Sequence, residues 1–197
     1  MFIYVPALDR VKIMRFEESS LYPPNLPGTI VQTNKNINHI VDQKDGPRLT
    51  IDRMGAVLSE DGDYRYYIWM VWDDEKRPLP WICCNPSYAD GIESDATMDS
   101  IAHYSGKEGY GSCVVANIWA YQNRYPGELQ DVDDPVGPLN DQFLQHMADN
   151  ADEIVAGWGS IGPNNERPQA IAKRFNVDWL AVQSGNVPYH PNRQKNE

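Results

Sequence analysis

Apolar and polar positions along the chain follow two patterns, with the change near residue 80. Before it, TIDRMGAVLSED (residues 50–61) and YRYYIWMVWD (residues 64–73) are rich in β-branched and aromatic side chains and are split by Asp61, Gly62 and Asp63. Two such runs around a short Gly-containing turn predict a β-hairpin. The second run alternates at first and then turns wholly apolar, as a strand does on entering a sheet covered on both faces. After Pro80, WICCN (81–85), SCVVANIWAY (112–121), DEIVAGWG (152–159) and VDWLAVQ (177–183) are strand candidates, and helices are predicted near 97–108, 139–151 and 166–175. In the middle helix Phe143, Leu144, Met147 and Ala151 recur at helical spacing.

Strand–helix–strand alternation is the rhythm of a parallel sheet with helices on both faces. The expected fold class is therefore α/β: a three-layer α/β/α domain with a central, mostly parallel sheet, preceded by the hairpin. Residues 1–47 are rich in Pro and Asn, with LYPPNLPG at 21–28, and read as an irregular N-terminal extension. Residues 48–197 then form a single domain, with no internal repeat.

Composition narrows the classes. The chain has 197 residues, 41% of them hydrophobic, and a net charge of −11; mean hydropathy is −0.58. No apolar run approaches the roughly 20 residues of a membrane span, so no membrane partner is expected. The start, MFIYVPALDRVK, lacks a basic leader and a small-residue cleavage site, which predicts a cytoplasmic protein. Cys83, Cys84 and Cys113 can build neither a disulfide framework nor a four-thiolate metal site. No basic residue adjoins the Cys83-Cys84 pair to lower a thiol pKa, so a catalytic cysteine is not expected.

Net acidity argues against nucleic acid, whose affinity comes mainly from Lys and Arg, but the charge is unevenly spread. Between Arg124 and Arg167 there are nine acidic residues and no Lys or Arg, whereas residues 167–197 carry five basic and two acidic ones. The acidic 125–166 region is a solvated face or a surface for a protein partner. The C-terminal segment, with Arg193 and Lys195, is a candidate for phosphate contact and predicts weak, salt-sensitive DNA binding.

Ligands of open parallel sheets bind beyond the carboxyl ends of the strands, so chemistry is expected at those positions. The first strand leads into Asn85-Pro86-Ser87-Tyr88-Ala89-Asp90, the second contains Asn117, the third ends at Gly157-Trp158-Gly159, and the fourth leads to Gly185-Asn186-Val187-Pro188-Tyr189-His190-Pro191. Each has a plainer reading as well. Asn85 can cap a turn, Asn117 can satisfy buried backbone, and Trp158 can simply pack. Polar turn residues at four corresponding strand ends nevertheless predict one cleft.

The strings NPSYAD, SDAT, GYG (109–111), VVANIWAY, DPVGPLND (134–141), GWGSIG (157–162) and GNVPYHP (185–191) resemble the bacterial and phage family named domain of unknown function 1643, over about residues 50–191. The family's Asp-Pro-Thr stands here as Asp95-Ala96-Thr97, and its His-Pro-Leu as His190-Pro191-Asn192. More remotely, CCNPSYAD, VVAN, VAGWGSIG and YHPN resemble, in that order, the landmarks of the uracil-DNA glycosylase superfamily.

The remoter resemblance implies a catalytic pair, Asn85 positioning water and His190 donating to a base carbonyl, with Asn117 reading the base edge. Ser87 and Tyr88 would lie near the base, and Tyr88, Tyr121 and Trp158 are the candidates for stacking on it. Asp90, Asp95, Thr97, Asp134 and Asn140 fall outside the glycosylase pattern and are expected elsewhere in the cleft, DPVGPLND in binding. Asp90, Asp95 and Asp134 lack tight metal-ligand spacing, and Asp95 suits the N-cap of the helix starting near Thr97, so neither metal nor cofactor is expected. The function implied is hydrolysis of the N-glycosidic bond of a modified pyrimidine, in DNA or a nucleotide, in DNA repair or modification. Two alternatives stay open: a transferase modifying a base in the same pocket, and a non-catalytic binder of nucleic acid or protein, such as an acidic decoy.

Overall fold

A computed structural model describes residues 16–87, 96–159, 166–175, 177–179, 182–183, 187–188, 190 and 191. The hairpin forms as its sequence predicts: β2 (Leu49–Ser59) and β3 (Arg65–Val71) pair antiparallel around a turn in which Gly62 takes φ +80°. Every residue of β3 is buried. Tyr67, Trp69 and Val71 enter one core cluster and Ile68 and Met70 the other, the two-residue alternation of a strand covered on both sides.

The Asn-rich stretch before the hairpin is more regular than its composition predicts. Residues Thr29–Val41 form β1, a 13-residue strand antiparallel to β2 at the edge of the sheet. Asn is poor in strands, and β1 uses it where the strand breaks register, between Lys35 and His39. There Asn36 and Asn38 adopt positive φ of 57° and 51°, a conformation Asn tolerates better than most residues. Beyond the break His39 Nε2 lies 2.8 Å from Asp99 Oδ1, tying β1 to the first helix, α1 (Ala96–Lys107).

The remaining strands of the main sheet are β4 (Pro78–Cys83), β5 (Ser112–Asn117), β6 (Val155–Ala156) and β7 (Asp178–Trp179), in the order β1-β2-β3-β5-β4-β6-β7. β8 (Val182–Gln183) and β9 (Val187–Pro188) form a separate antiparallel pair. α2 (Asn140–Asn150) and α3 (Glu166–Phe175) are the other α-helices among the described residues.

This overturns the expectation of a three-layer α/β/α domain with a central, mostly parallel sheet. The seven strands form one mixed sheet in which most of the paired length is antiparallel. The hairpin does not precede the sheet but belongs to it, because β3 pairs antiparallel with β5. Parallel pairing is confined to β5-β4-β6-β7, where β6 and β7 are two residues each. Several strand candidates were also too long: SCVVANIWAY is strand only over Ser112–Asn117, and DEIVAGWG only over Val155–Ala156.

Two buried clusters flank the sheet. In one, Phe143, Leu144, Met147 and Ile171 of α2 and α3 join Tyr67, Trp69, Val114 and Ala116. In the other, Met98, Ile101 and Ala102 of α1 join Ile68, Met70, Trp81 and Val115. Among the described residues no helix is long and apolar enough to cross a membrane.

Candidate functional site

β4, β5 and β6 run parallel, so their carboxyl ends share an edge of the sheet, and antiparallel β3 begins at that edge. The backbone stays in register beyond the strands. Ile118 and Trp119 N–H groups donate to the Cys83 and Cys84 carbonyls at 2.9 and 3.0 Å, and Gly157 N–H donates to Ile82 at 2.8 Å. Three strand exits are thus held side by side.

A cavity of about 190 Å³ opens at this edge. One water needs about 10–15 Å³ of such space, so there is room for a ligand of several heavy atoms. Asn85, Ser87, Thr97, Asn117, Trp158 and His190 all line it. Thr97 stands in the first turn of α1, and Met98 and Ile101 of the same helix line the cavity with it.

The polar groups are fixed in different ways. Asn85 Nδ2 donates to the Asn123 carbonyl at 2.7 Å and the Pro86 carbonyl at 3.1 Å, which commits its donors and leaves Oδ1 to accept. Asn117 is 3% exposed, and among the described residues no protein group hydrogen-bonds its side-chain amide. It lines the cavity, where an amide can both donate to and accept from a ligand or water.

His190 reaches the cavity because glycine makes room for it. A Cβ at Gly159, where φ is +69°, would stand 3.3 Å from His190 Cβ, and one at Gly157 would stand 3.3 Å from Pro191 Cγ. The Gly-Trp-Gly string thus seats the His-Pro pair on its two glycines while Trp158, itself in the core, forms cavity wall.

Cys83 and Cys84 also line the cavity. Burial pushes the Cys84 thiol up to about 12, so it stays protonated at neutral pH and is no nucleophile.

Other expected cleft residues lie elsewhere. Asp134 and Asn140 are not among the residues lining the cavity, and what they do is structural. Asp134 Oδ1 accepts the N–H groups of Val136 and Gly137 at 3.1 and 3.0 Å, closing a turn, and its carbonyl accepts the Tyr64 hydroxyl. Gly137 has φ +85°, and a Cβ there would press within 2.6 Å of the Tyr64 ring. Fully buried Asn140 donates to the Asn117 and Ile118 carbonyls, both at 3.0 Å, tying α2 to the end of β5. DPVGPLND therefore builds the wall behind the cavity rather than its lining. Tyr121 packs edge-on against Tyr64, at 5.7 Å between ring centroids. Tyr88, Asp90, Asp95, Arg193 and Lys195 lie outside the described residues.

Sequence reasoning missed Arg65 and Arg124, which also line the cavity. Arg65 is only 4% exposed. Its direction follows from a break in register between Val57 and Leu58: Tyr66 is the extra residue, it joins Tyr67 in one cluster, and Arg65 is re-aimed to the cavity that Ile68 lines. The signal was present, since one cation inside YRYYIWMVW is not what a buried strand carries without purpose.

Fold and site define a mixed α/β protein with a cavity of apolar and polar side chains at the carboxyl ends of its parallel strands. The chain belongs to the family described as protein of unknown function (DUF1643), whose family model matches residues 65–192. That segment contains every residue lining the cavity, from Arg65 to His190, and excludes β1 and β2. Searches of curated proteins and of solved structures returned no match.

Proposed function

We propose that the cavity binds a pyrimidine base and that the protein hydrolyses the N-glycosidic bond of a modified pyrimidine nucleotide or DNA residue, in the manner of the uracil-DNA glycosylase superfamily that the strand-end motifs resemble. The observation carrying this reading is that Asn85, Asn117 and His190, far apart in sequence, line one cavity with Trp158 in its wall.

In the reaction the bond from C1′ to the ring nitrogen breaks, and its electron pair leaves on the base. Water oxygen forms the new bond to C1′, one water proton stays on the new hydroxyl, and the other ends on the base through solvent. Asn85 Oδ1 orients the water, Asn117 pairs with the base edge by donating and accepting, and His190 donates to the base oxygen where charge grows. An amide cannot take a proton as a carboxylate does, so catalysis rests on positioning and fixed donors. Slow turnover, favouring bases that leave readily, is the expected consequence.

The test offers uracil and 5-hydroxymethyluracil in single- and double-stranded DNA and as deoxynucleoside monophosphates, and measures free base by chromatography. Wild type should release base from at least one, and His190→Ala should slow release by about 10²–10³. Intact substrates throughout, together with equal ligand binding by the variant, would remove the proposal. A mass increase on the base instead of its release would establish group transfer.

A further inference from the structure

The Proposed function leaves open whether the base arrives in a strand or as a free nucleotide. The electrostatics of the cavity divide the two. Two arginines line it: Arg65, almost fully buried, and Arg124, exposed to solvent. A guanidinium has five N–H donors in a fork that fits phosphate, enough to serve a protein acceptor and a ligand together.

On the side of the cavity formed by Asn123 and Pro126 the sign reverses. Pro126 lines the cavity and opens a 3₁₀ turn, Pro126–Asp131, in which Glu128 and Asp131 are exposed. Glu128 Oε2 accepts from Asn123 Nδ2 at 3.3 Å, which places a carboxylate against a residue of the cavity wall. A single phosphate within reach of Arg65 and Arg124 is attracted. A strand continuing past this rim brings further phosphates onto carboxylates, in a chain of net charge −11.

We propose that the ligand of this cavity is a pyrimidine nucleoside monophosphate, its phosphate held by Arg65 and Arg124 and its base read by Asn117. This rests on the base-binding reading above and narrows it to a free nucleotide. The full-length protein is titrated calorimetrically with deoxyuridine and its 5-hydroxymethyl derivative, their 5′-monophosphates, inorganic phosphate, and a single-stranded oligonucleotide carrying the same base.

The monophosphate should bind at least about tenfold tighter than its nucleoside, the worth of one charge-assisted contact. Arg124→Ala, at an exposed position, should erase most of that advantage and leave nucleoside affinity unchanged; Arg65→Lys should reduce it too. Equal binding of nucleoside and monophosphate overturns the phosphate site yet keeps the base pocket. Tighter binding of the oligonucleotide overturns the free-nucleotide assignment alone. Inorganic phosphate binding as well as the monophosphate, or no binding by any probe, removes this proposal and the base pocket together.

Discussion

At the scale of single residues, the position of His190 depends on a glycine it does not bond. Gly159 holds a left-handed φ of +69°, and its absent side chain is the space against which the His190 Cβ rests. Gly159→Ala adds a strained conformation, costing about 1–2 kcal/mol, and a contact that moves the histidine. The expected outcome is a modestly lower melting temperature with a disproportionate loss of ligand affinity. A variant as stable as wild type that binds ligand equally would show that this seat does not matter. Of the cavity residues, Asn85, Ser87, Asn117, Trp158 and His190 were legible because strand-end turns advertise themselves as polar breaks in apolar runs, and Thr97 only through the family resemblance. Arg65 was not, because its direction depends on a bulge set by pairing between strands, which one strand's sequence does not display.

Between elements, the same contrast separates what local pattern records from what it omits. The helices predicted near 97–108, 139–151 and 166–175 fall at Ala96–Lys107, Asn140–Asn150 and Glu166–Phe175, since helical periodicity is a local signal. The antiparallel pairing of β3 with β5 joins distant segments and has no such signal, so the parallel rhythm after residue 80 was extended to the whole sheet. β1 was missed because its Asn residues argue against a strand, although they serve its register break. Asn140 shows how one side chain couples two elements: its amide holds the last carbonyls of β5 from the start of α2. Its own Oδ1 is buried without a hydrogen-bond partner, which offsets part of the gain. Asn140→Ala should therefore cost about 1–2 kcal/mol, the lower part of the range for a lost buried contact. Urea unfolding would measure this, and a loss below experimental error would mean that Arg167, whose Nε also donates to Ile118 at 2.7 Å, holds β5 by itself.

For the molecule as a whole, buried acids that are neutral in the fold set an alkaline limit. Burial raises Cys84, Cys113 and Tyr66 each to about 12, from ordinary values of 9.0 for the thiols and 10.0 for the phenol. Burial also raises Tyr67, whose hydroxyl donates to the Phe143 carbonyl at 2.8 Å. The unfolded chain gives up these protons first. Their contribution is therefore complete below pH 9.0 and is lost as pH rises toward 12. Denaturant midpoints should hold steady up to that lower value and fall steeply above it. A stability unchanged across this window would mean that these groups are solvated in the native state.

The mixed sheet also implies an order of assembly. β1, β2 and β3 form a meander of neighbours in sequence, whose pairing closes short loops, whereas the cavity needs β4, β5 and β6 brought together and His190 laid on Gly159. Local contacts form early and distant ones late. During synthesis the hairpin leaves the ribosome long before the histidine does, so the meander can be complete while the cavity still lacks a wall. A nucleotide bound as proposed would then stabilise chains in which His190 has docked on Gly159 over those in which it has not.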